Sequence, residues 1–487
     1  MMADRIKKQE FRRVEEYVYE LPAGTRPHMR VPARIYADDD ILEAALGDRS
    51  VIQLVNTTSL PGVVRYTLAM PDIHQGYGFP IGGVAATELP SGVISPGGIG
   101  YDINCGVRLA TSTVMLEEVQ PHLEKLVGAL FRAVPAGVGK GGQVRLNDRD
   151  MDAVLERGSG WAVQKGYGYK ADLEHTEERG AMAAADVGAV SPRARKRGRG
   201  QLGTLGSGNH FVEVQVVDQV YDPEVAEVFG LREGLVTVLI HSGSRGLGHQ
   251  VCTDYVRQLQ GALQKYKIRV PDRELVCAPL DSPEGKAYFG AMAAAANYAW
   301  ANRQCLLHLT RRAFEKTLKG QVKDPRLTLL YDVAHNIGKI ETHVVEGREV
   351  TVCVHRKGAT RAFGPDRPEV PRGFRAVGQP VLIPGDMGTA SYVLVGTQRA
   401  METTFGSTCH GAGRLLSRSA AKRKIRGETV VQDLRQKGII VRGASMKGIA
   451  EEAPLAYKDV DRVVNVVHRA GIARKVARLR PLGVIKG

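Results

Sequence analysis

Side chains able to hold a divalent metal or attack a phosphate recur in this chain inside short glycine-rich clusters. Asp102 and Cys105 are three residues apart in SPGGIGYDINCG (95–106), and His210 closes GTLGSGNH (203–210). His241 opens HSGSRGLGH (241–249), His335 follows the run 327–334, and His410 lies in STCHGAG (407–413). Glycine reaches positive φ and lets backbone approach a ligand closely, so these clusters suit tight polar loops as well as plain turns. The histidine or cysteine in each cluster favours the first reading. Asp102, Cys105, His210, His241 and His335 together offer a thiolate, a carboxylate and three imidazoles. That set is too rich for one closed tetrahedral site and suits two adjacent metals sharing one sulfur. Each histidine alone reads first as a satisfied structural residue, and spacing across about 230 residues does not reverse that. Ligand softness would select zinc, with manganese at the bottom of the affinity order.

Some scaffold must gather these residues. Apolar β-branched runs at 236–240, 327–330 and 350–354 precede His241, His335 and His355, which predicts strands that end in histidines. Residues 211–216 alternate, predicting a strand that starts after His210, with Asn209 and Glu213 on one face and His210 on the other. Helices are predicted over 248–265, over the alanine-rich 284–318 and over 459–474. Without a βαβ rhythm, these elements predict an α+β fold with mixed and antiparallel sheets surrounded by helices. No linker divides it, so residues 1–487 read as one large domain. Residues 191–200 pack five cations into ten positions and read as a solvated loop inserted in that domain, able to neutralise RNA phosphates beside GTLGSGNH.

A composition of 43% hydrophobic and 24% charged residues over 487 positions is globular, and a formal charge of +15 makes nucleic acid the leading partner. No apolar run reaches about 18 residues, and the first 22 residues are charged where a signal peptide needs its apolar segment; a cytoplasmic protein without a membrane partner is expected. Six scattered cysteines without a CxxC pair read as reduced thiols. GVGKGG (137–142) satisfies a glycine-rich dinucleotide pattern but lacks a strand-to-helix context, and it lacks the Ser or Thr that a P-loop lysine needs next.

Taken in order, PDIHQGYGFPIGG (71–83), GYDINCGVR (100–108), GSGNHFVE (206–213), HSGSRGLGH, DVAHN (332–336), HRKGATRA (355–362), PVLIPGDMGTASYVL (380–394), STCHGAGR (407–414) and the ending PLGVIKG resemble the RtcB RNA-splicing ligases. The resemblance runs from about residue 25 to the last residue. It implies an RtcB-like domain around a central metal-containing cleft. It also implies an RNA ligase that depends on GTP and two Mn2+ ions, although Zn2+ or another divalent metal could occupy the sites. Cys105 would bridge the metals, with Asp102 and His210 on one and His241 and His335 on the other. His410 would become guanylylated, and GMP would pass to an RNA 3′-phosphate, itself opened from a 2′,3′-cyclic phosphate. The resulting RNA(3′)pp(5′)G end would be joined to a 5′-hydroxyl, in tRNA splicing or RNA repair.

By the same resemblance Asn209, Glu213, His335, Asp386, Ser391, His410, Gly411, Gly413, Tyr457 and Lys486 would line the nucleotide pocket. Arg197, Arg245, Arg414 and Arg418 would meet RNA phosphates. Asp386 departs from the small hydroxyl residue common among such proteins. RNA, as tRNA halves or cleaved RNA, is the implied substrate, and the small protein archease the implied activator. Two other readings stay open on the residues alone: a two-metal phosphodiesterase or nuclease without a covalent intermediate, and a non-catalytic RNA-binding protein.

Overall fold

The 36-residue helix Pro283–Leu318 runs through the molecule with apolar and polar side chains buried together. Its start is set by Ser282, whose hydroxyl accepts from the Gly285 amide, and by Pro283 in the first turn. The alanine run 293–296 then lets neighbouring elements approach closely. The computed structural model of the protein describes residues 6–487; residues 1–5 of the charged N-terminal stretch lie outside the described residues.

Two large sheets flank the site. One has seven strands in the order Arg12–Glu15, Val18–Leu21, Ala33–Tyr36, Thr67–His74, Ile81–Glu88, Arg348–Lys357, Asn336–Val345. The pair Ala33–Tyr36 and Thr67–His74 is parallel and the other neighbours are antiparallel. The second has eight strands: Leu327–Ala334, Gly106–Met115, Leu235–Ser242, Phe211–Val220, Ala473–Lys486, Ser391–Gly396 and Pro380–Ile383 in order, with Ile440–Gly443 parallel to Ala473–Lys486. The fold is therefore α+β with mixed sheets, as the sequence predicts. No helix among the described residues is long and apolar enough to cross a membrane.

Four expectations are corrected. Residues 191–200 are not a solvated loop: Pro192–Gly198 is helical, with the Ser191 hydroxyl accepting from the Ala194 amide and Ala194 buried. Its cations are partly spent, Arg195 on Asp152, Arg199 on Asp148 and Arg197 on Gln250. His355 does not end its strand; it is buried within Arg348–Lys357, where it accepts from the Ser95 amide through Nε2 and lies 3.2 Å from the Ala85 carbonyl through Nδ1. The last helix stops at Arg469, and residues from Ala473 form a strand. The helix predicted from 248 starts earlier, at Arg245.

Behind the second sheet a charged group is fully enclosed. The Asp332 carboxylate accepts from Arg108 Nε at 2.7 Å and from Arg303 Nε and Nη2 at 2.8 Å, and all three side chains are buried. Removing one partner of such a set leaves an uncompensated buried charge, at a cost of about 3–5 kcal/mol. Asp332→Ala is therefore expected to lower the unfolding free energy by that amount in urea titrations. Arg442→Ala, which removes an exposed pair with Glu124, should change it by only about 0–1 kcal/mol.

Candidate metal and nucleotide site

Register alone brings the cluster together. Ala334 pairs with Gly106, Val107 with His241, His241 with Phe211, and Phe211 with Lys486. Five neighbouring strands thus end along one sheet edge, and Cys105, His210, His241, His335 and Lys486 fall within one residue of that row. The first sheet supplies Asp72, His74 and Lys357 from the opposite side, and His410 follows the short strand Ser407–Cys409. Between them is a cavity of about 380 Å³.

Cys105 Sγ lies 3.4 Å from His210 Nε2 and 3.3 Å from His241 Nε2, and the His241 and His335 Nε2 atoms are 3.3 Å apart. Asp102 Oδ2 is 2.9 Å from His210 Nε2. Two donor sets result, Asp102–Cys105–His210 and Cys105–His241–His335, each with its ligand atoms within 4.8 Å of one another and both sharing the sulfur. Burial pushes the Cys105 thiol up and the His241 and His335 imidazoles down. His335 Nδ1 is buried without a hydrogen-bond partner. Converging lone pairs with so few protons to share fit divalent cations better than a network of hydrogen bonds. Asn209 and Glu213 line the cavity together and His210 does not, as the alternation predicts; after a turn with Gly206 and Gly208 at positive φ, His210 meets Asp102 and Cys105 instead.

The His410 ring lies 4.9 Å from that of His335. The His410 amide and Nδ1 are 3.0 and 2.5 Å from Asp72 Oδ2. Burial raises the Asp72 carboxyl, but the charge and hydrogen bonds of His410 outweigh it and hold the group below the usual range. With Nδ1 tied to a carboxylate, Nε2 is the nitrogen left with a lone pair. Gly413, at φ +77°, is required here, because a Cβ would meet the Asp72 carbonyl at 2.4 Å.

At the other end of the cavity Lys486 Nζ donates to the Gly208 carbonyl and lies over the Phe211 ring. Glu213 is buried, and desolvation raises its carboxyl to about 8 despite a hydrogen bond from Gln215. Gln215 also donates to Ser391, which sits behind the lining and does not reach the cavity. Asn209, Gly411, Asp386 and Tyr457 line it. Asp386 spends its two oxygens on the Gly388 amide and the Thr389 hydroxyl, both at 2.8 Å.

The family model described as tRNA-splicing ligase RtcB matches residues 53–487. The chain belongs to the RtcB family. It is 57% identical to the tRNA-splicing ligase RtcB of Archaeoglobus fulgidus over 476 residues, 98% of each chain. It is 56% identical to that of Thermococcus kodakarensis, again over 98% of each. The RNA-splicing ligase RtcB of Mycobacterium tuberculosis is 56% identical over 439 residues, 90% of this chain and all of that one.

In this RtcB family member the four arginines fare differently. Arg418 lines the cavity, donates to Glu452 and keeps about half its side chain exposed. Arg414 is occupied by the Leu416 and Glu451 carbonyls, Glu452 and the Tyr457 hydroxyl. Arg414 lines the cavity as Arg418 does, whereas Arg245, 3.2 Å from His210 Nδ1, and Arg197 lie outside the lining. Sequence reasoning missed Asp72, Glu452 and Lys357. Lys357 donates to the Tyr77 and Phe79 carbonyls, and burial lowers it to about 8. Its place in HRKGATRA was the available signal.

Two measurements probe this geometry. Mn2+ or Zn2+ at a hundredfold excess over its Kd should stabilise wild-type protein by about 2.7 kcal/mol against an EDTA control. Cys105→Ala, which removes the shared donor, should lose most of that gain; equal gains in both proteins would place the metal elsewhere. For Glu213 the folded carboxyl holds a proton that the unfolded chain releases above about 4.5. Its contribution is therefore fully present below about 4.5 and is lost as pH rises through about 8. In metal-free urea titrations Glu213→Gln should gain on wild type between pH 5 and 9, and a pH-independent difference would contradict the assignment.

Proposed function

We propose that this chain is an RNA ligase that uses GTP and manganese to join RNA 3′-phosphate or 2′,3′-cyclic phosphate ends to 5′-hydroxyl ends, in tRNA splicing or RNA repair in the cytoplasm. The observation that carries the covalent part is the Asp72–His410 pair, which fixes one ring nitrogen and leaves the other with no protein partner among the described residues. Family membership supports the substrate class, because the relatives are named tRNA-splicing and RNA-splicing ligases.

In this reading His410 Nε2 attacks the α-phosphorus of GTP. A P–N bond forms, the bond to the β-phosphate oxygen breaks, and pyrophosphate leaves. An RNA 3′-phosphate oxygen next attacks the same phosphorus, returning His410 to its free form and leaving RNA(3′)pp(5′)G. The 5′-hydroxyl of the second RNA then attacks the 3′-phosphate phosphorus and GMP departs. A cyclic end requires prior opening by water. Asp102, Cys105, His210, His241 and His335 would hold two divalent ions, whose chemistry is to neutralise charge on the phosphates.

Asp72 keeps the reactive tautomer of His410 and stabilises positive charge on the ring, as the third member of a nucleophile–orienter arrangement does elsewhere. Glu213 and Lys486 would read the guanine edge, with Asn209, Asp386 and Tyr457 around the nucleotide, Gly411 and Gly413 letting backbone approach the phosphates, and Ser391 supporting Glu213 through Gln215. Of the four arginines, Arg414 and Arg418 line the cavity and would be the best placed to meet phosphate. Archease would act as activator.

The test is transfer of label from α-phosphate-labelled GTP to denatured protein with Mn2+ present, with archease supplied. Acid-labile label is expected on wild type, none on His410→Ala, and about a hundredfold less or lower on Asp72→Asn, where the amide cannot hold the tautomer. Metal-dependent RNA cleavage with no label on any protein would instead favour the two-metal hydrolase.

A further inference from the structure

A second basic surface lies far from the metal-type cluster. Helix Leu123–Ala133 and the last third of helix Pro283–Leu318 border a groove of about 1120 Å³. Lys125, Arg132, Arg312, Lys316 and Lys319 line it, and none has a side-chain hydrogen bond or ion pair among the described residues. Arg326 is held by Asp324, and Glu315 is the remaining acid in the lining. Tyr169 stands at the rim 59% exposed, with Arg311 over one face of its ring at 4.8 Å. Thr113, which accepts from the Arg326 amide, is eight residues along its strand from Cys105; at roughly 3.3 Å per residue the groove begins about 25 Å from the cluster.

The glycine-rich stretch GVGKGG, which lacks the strand-to-helix context of a nucleotide-binding loop, bridges the two places. Its Gly137 amide donates to the Gly206 carbonyl, beside the turn that carries His210, and Gln143 just beyond it lines the groove. Between them Lys140 is exposed, as is Arg145 further on, and neither has a side-chain hydrogen bond or ion pair among the described residues.

We infer that this groove binds the sugar-phosphate backbone of RNA at a distance from the end being joined, with Lys140 marking the path between the two. The inference takes its substrate class from the proposed ligase activity. Five unneutralised cations along two helix faces form a costly surface with no interior partner, and a polyanion relieves that repulsion by releasing its own counterions. An exposed aromatic ring at the rim is a platform for an unstacked base.

The test combines Lys125→Gln, Arg132→Gln, Arg312→Gln and Lys316→Gln in the full chain. Filter binding of a 75-nucleotide hairpin RNA is measured from 50 to 200 mM KCl, beside guanylylation of a trinucleotide 3′-phosphate too short to span both places. The hairpin should bind roughly 10- to 100-fold more weakly, and the slope of log K against log salt should flatten by about 3, at about 0.7 per lost contact. The trinucleotide should react at the wild-type rate, and the pair Lys125→Arg, Lys316→Arg should retain hairpin affinity. Unchanged hairpin affinity and slope would overturn the groove. So would a loss that the trinucleotide shares in full. If wild type leaves the trinucleotide unmodified while the fourfold variant still loses the hairpin, the ligase reading fails and the groove stands.

Discussion

Arg303 is the fixed point of the metal-type cluster. Its guanidinium meets Asp332 through two nitrogens, and its remaining donors reach the Asn104 carbonyl, the Asn104 side chain and the Ser242 carbonyl. These contacts tie together the residue before Cys105, the residue after His241 and the strand that leads to His335. Transfer of such charges from water is costly, and it is offset only when every donor finds an acceptor, as here. Gly106 permits the arrangement, since a Cβ there would lie 2.5 Å from the Val333 carbonyl and 3.0 Å from the Arg303 guanidinium. Asn302, one residue earlier on the same helix, does the same for the Gly203 and Thr204 amides and the Gly243 carbonyl. One helix therefore braces the turns before Cys105 and His210, the turn after His241 and the strand that leads to His335.

This explains which parts of the site were legible in the sequence. The donors themselves were legible because cysteine and histidine in glycine turns are uncommon combinations, and the strands before His241 and His335 were legible from apolar β-branched runs. What periodicity could not give was the register that lines up five strand ends. His355 shows the limit: the same pattern that precedes His241 precedes it, yet its strand continues and both ring nitrogens are satisfied by backbone. The basic stretch 191–200 failed differently, because Ser191 and Pro192 are a helix start that the density of charge obscured. Asp72 and Glu452 were missed because each acts through a partner hundreds or tens of residues away, His410 for one and Arg414 for the other.

The carboxylates Asp72, Asp102 and Glu452 in and beside the cleft all have partners, but two of the buried lysines have no carboxylate. Asp72 holds His410 Nδ1, Asp102 meets His210 Nε2, and Glu452 pairs with Arg414 and Arg418. Lys357 and Lys458 lack carboxylate partners; each donates only to carbonyls, and burial lowers both to about 8. Lys357 lines the cavity, so an anion arriving there would restore the charge that burial disfavours. The interior is poised for a ligand that brings negative charge, and the formal excess of +15 is left for the surface.

Asp386 illustrates how the local fold restricts what a side chain can recognise. Its carboxyl is raised by burial, and both oxygens already accept from the loop that carries them, so a direct contact to a nucleobase would compete with the turn at Gly388. Glu213 has no such commitment on its second oxygen, and its single donor, Gln215, is itself held by Ser391. Burial raises the Glu213 carboxyl to about 8, a cost that a ligand with adjacent N–H donors would repay by hydrogen-bonding the ionised form. On the proposed reading, recognition of a base edge would fall to Glu213 and Lys486, on two strands paired in register, whereas Asp386 would shape the wall against which the base lies.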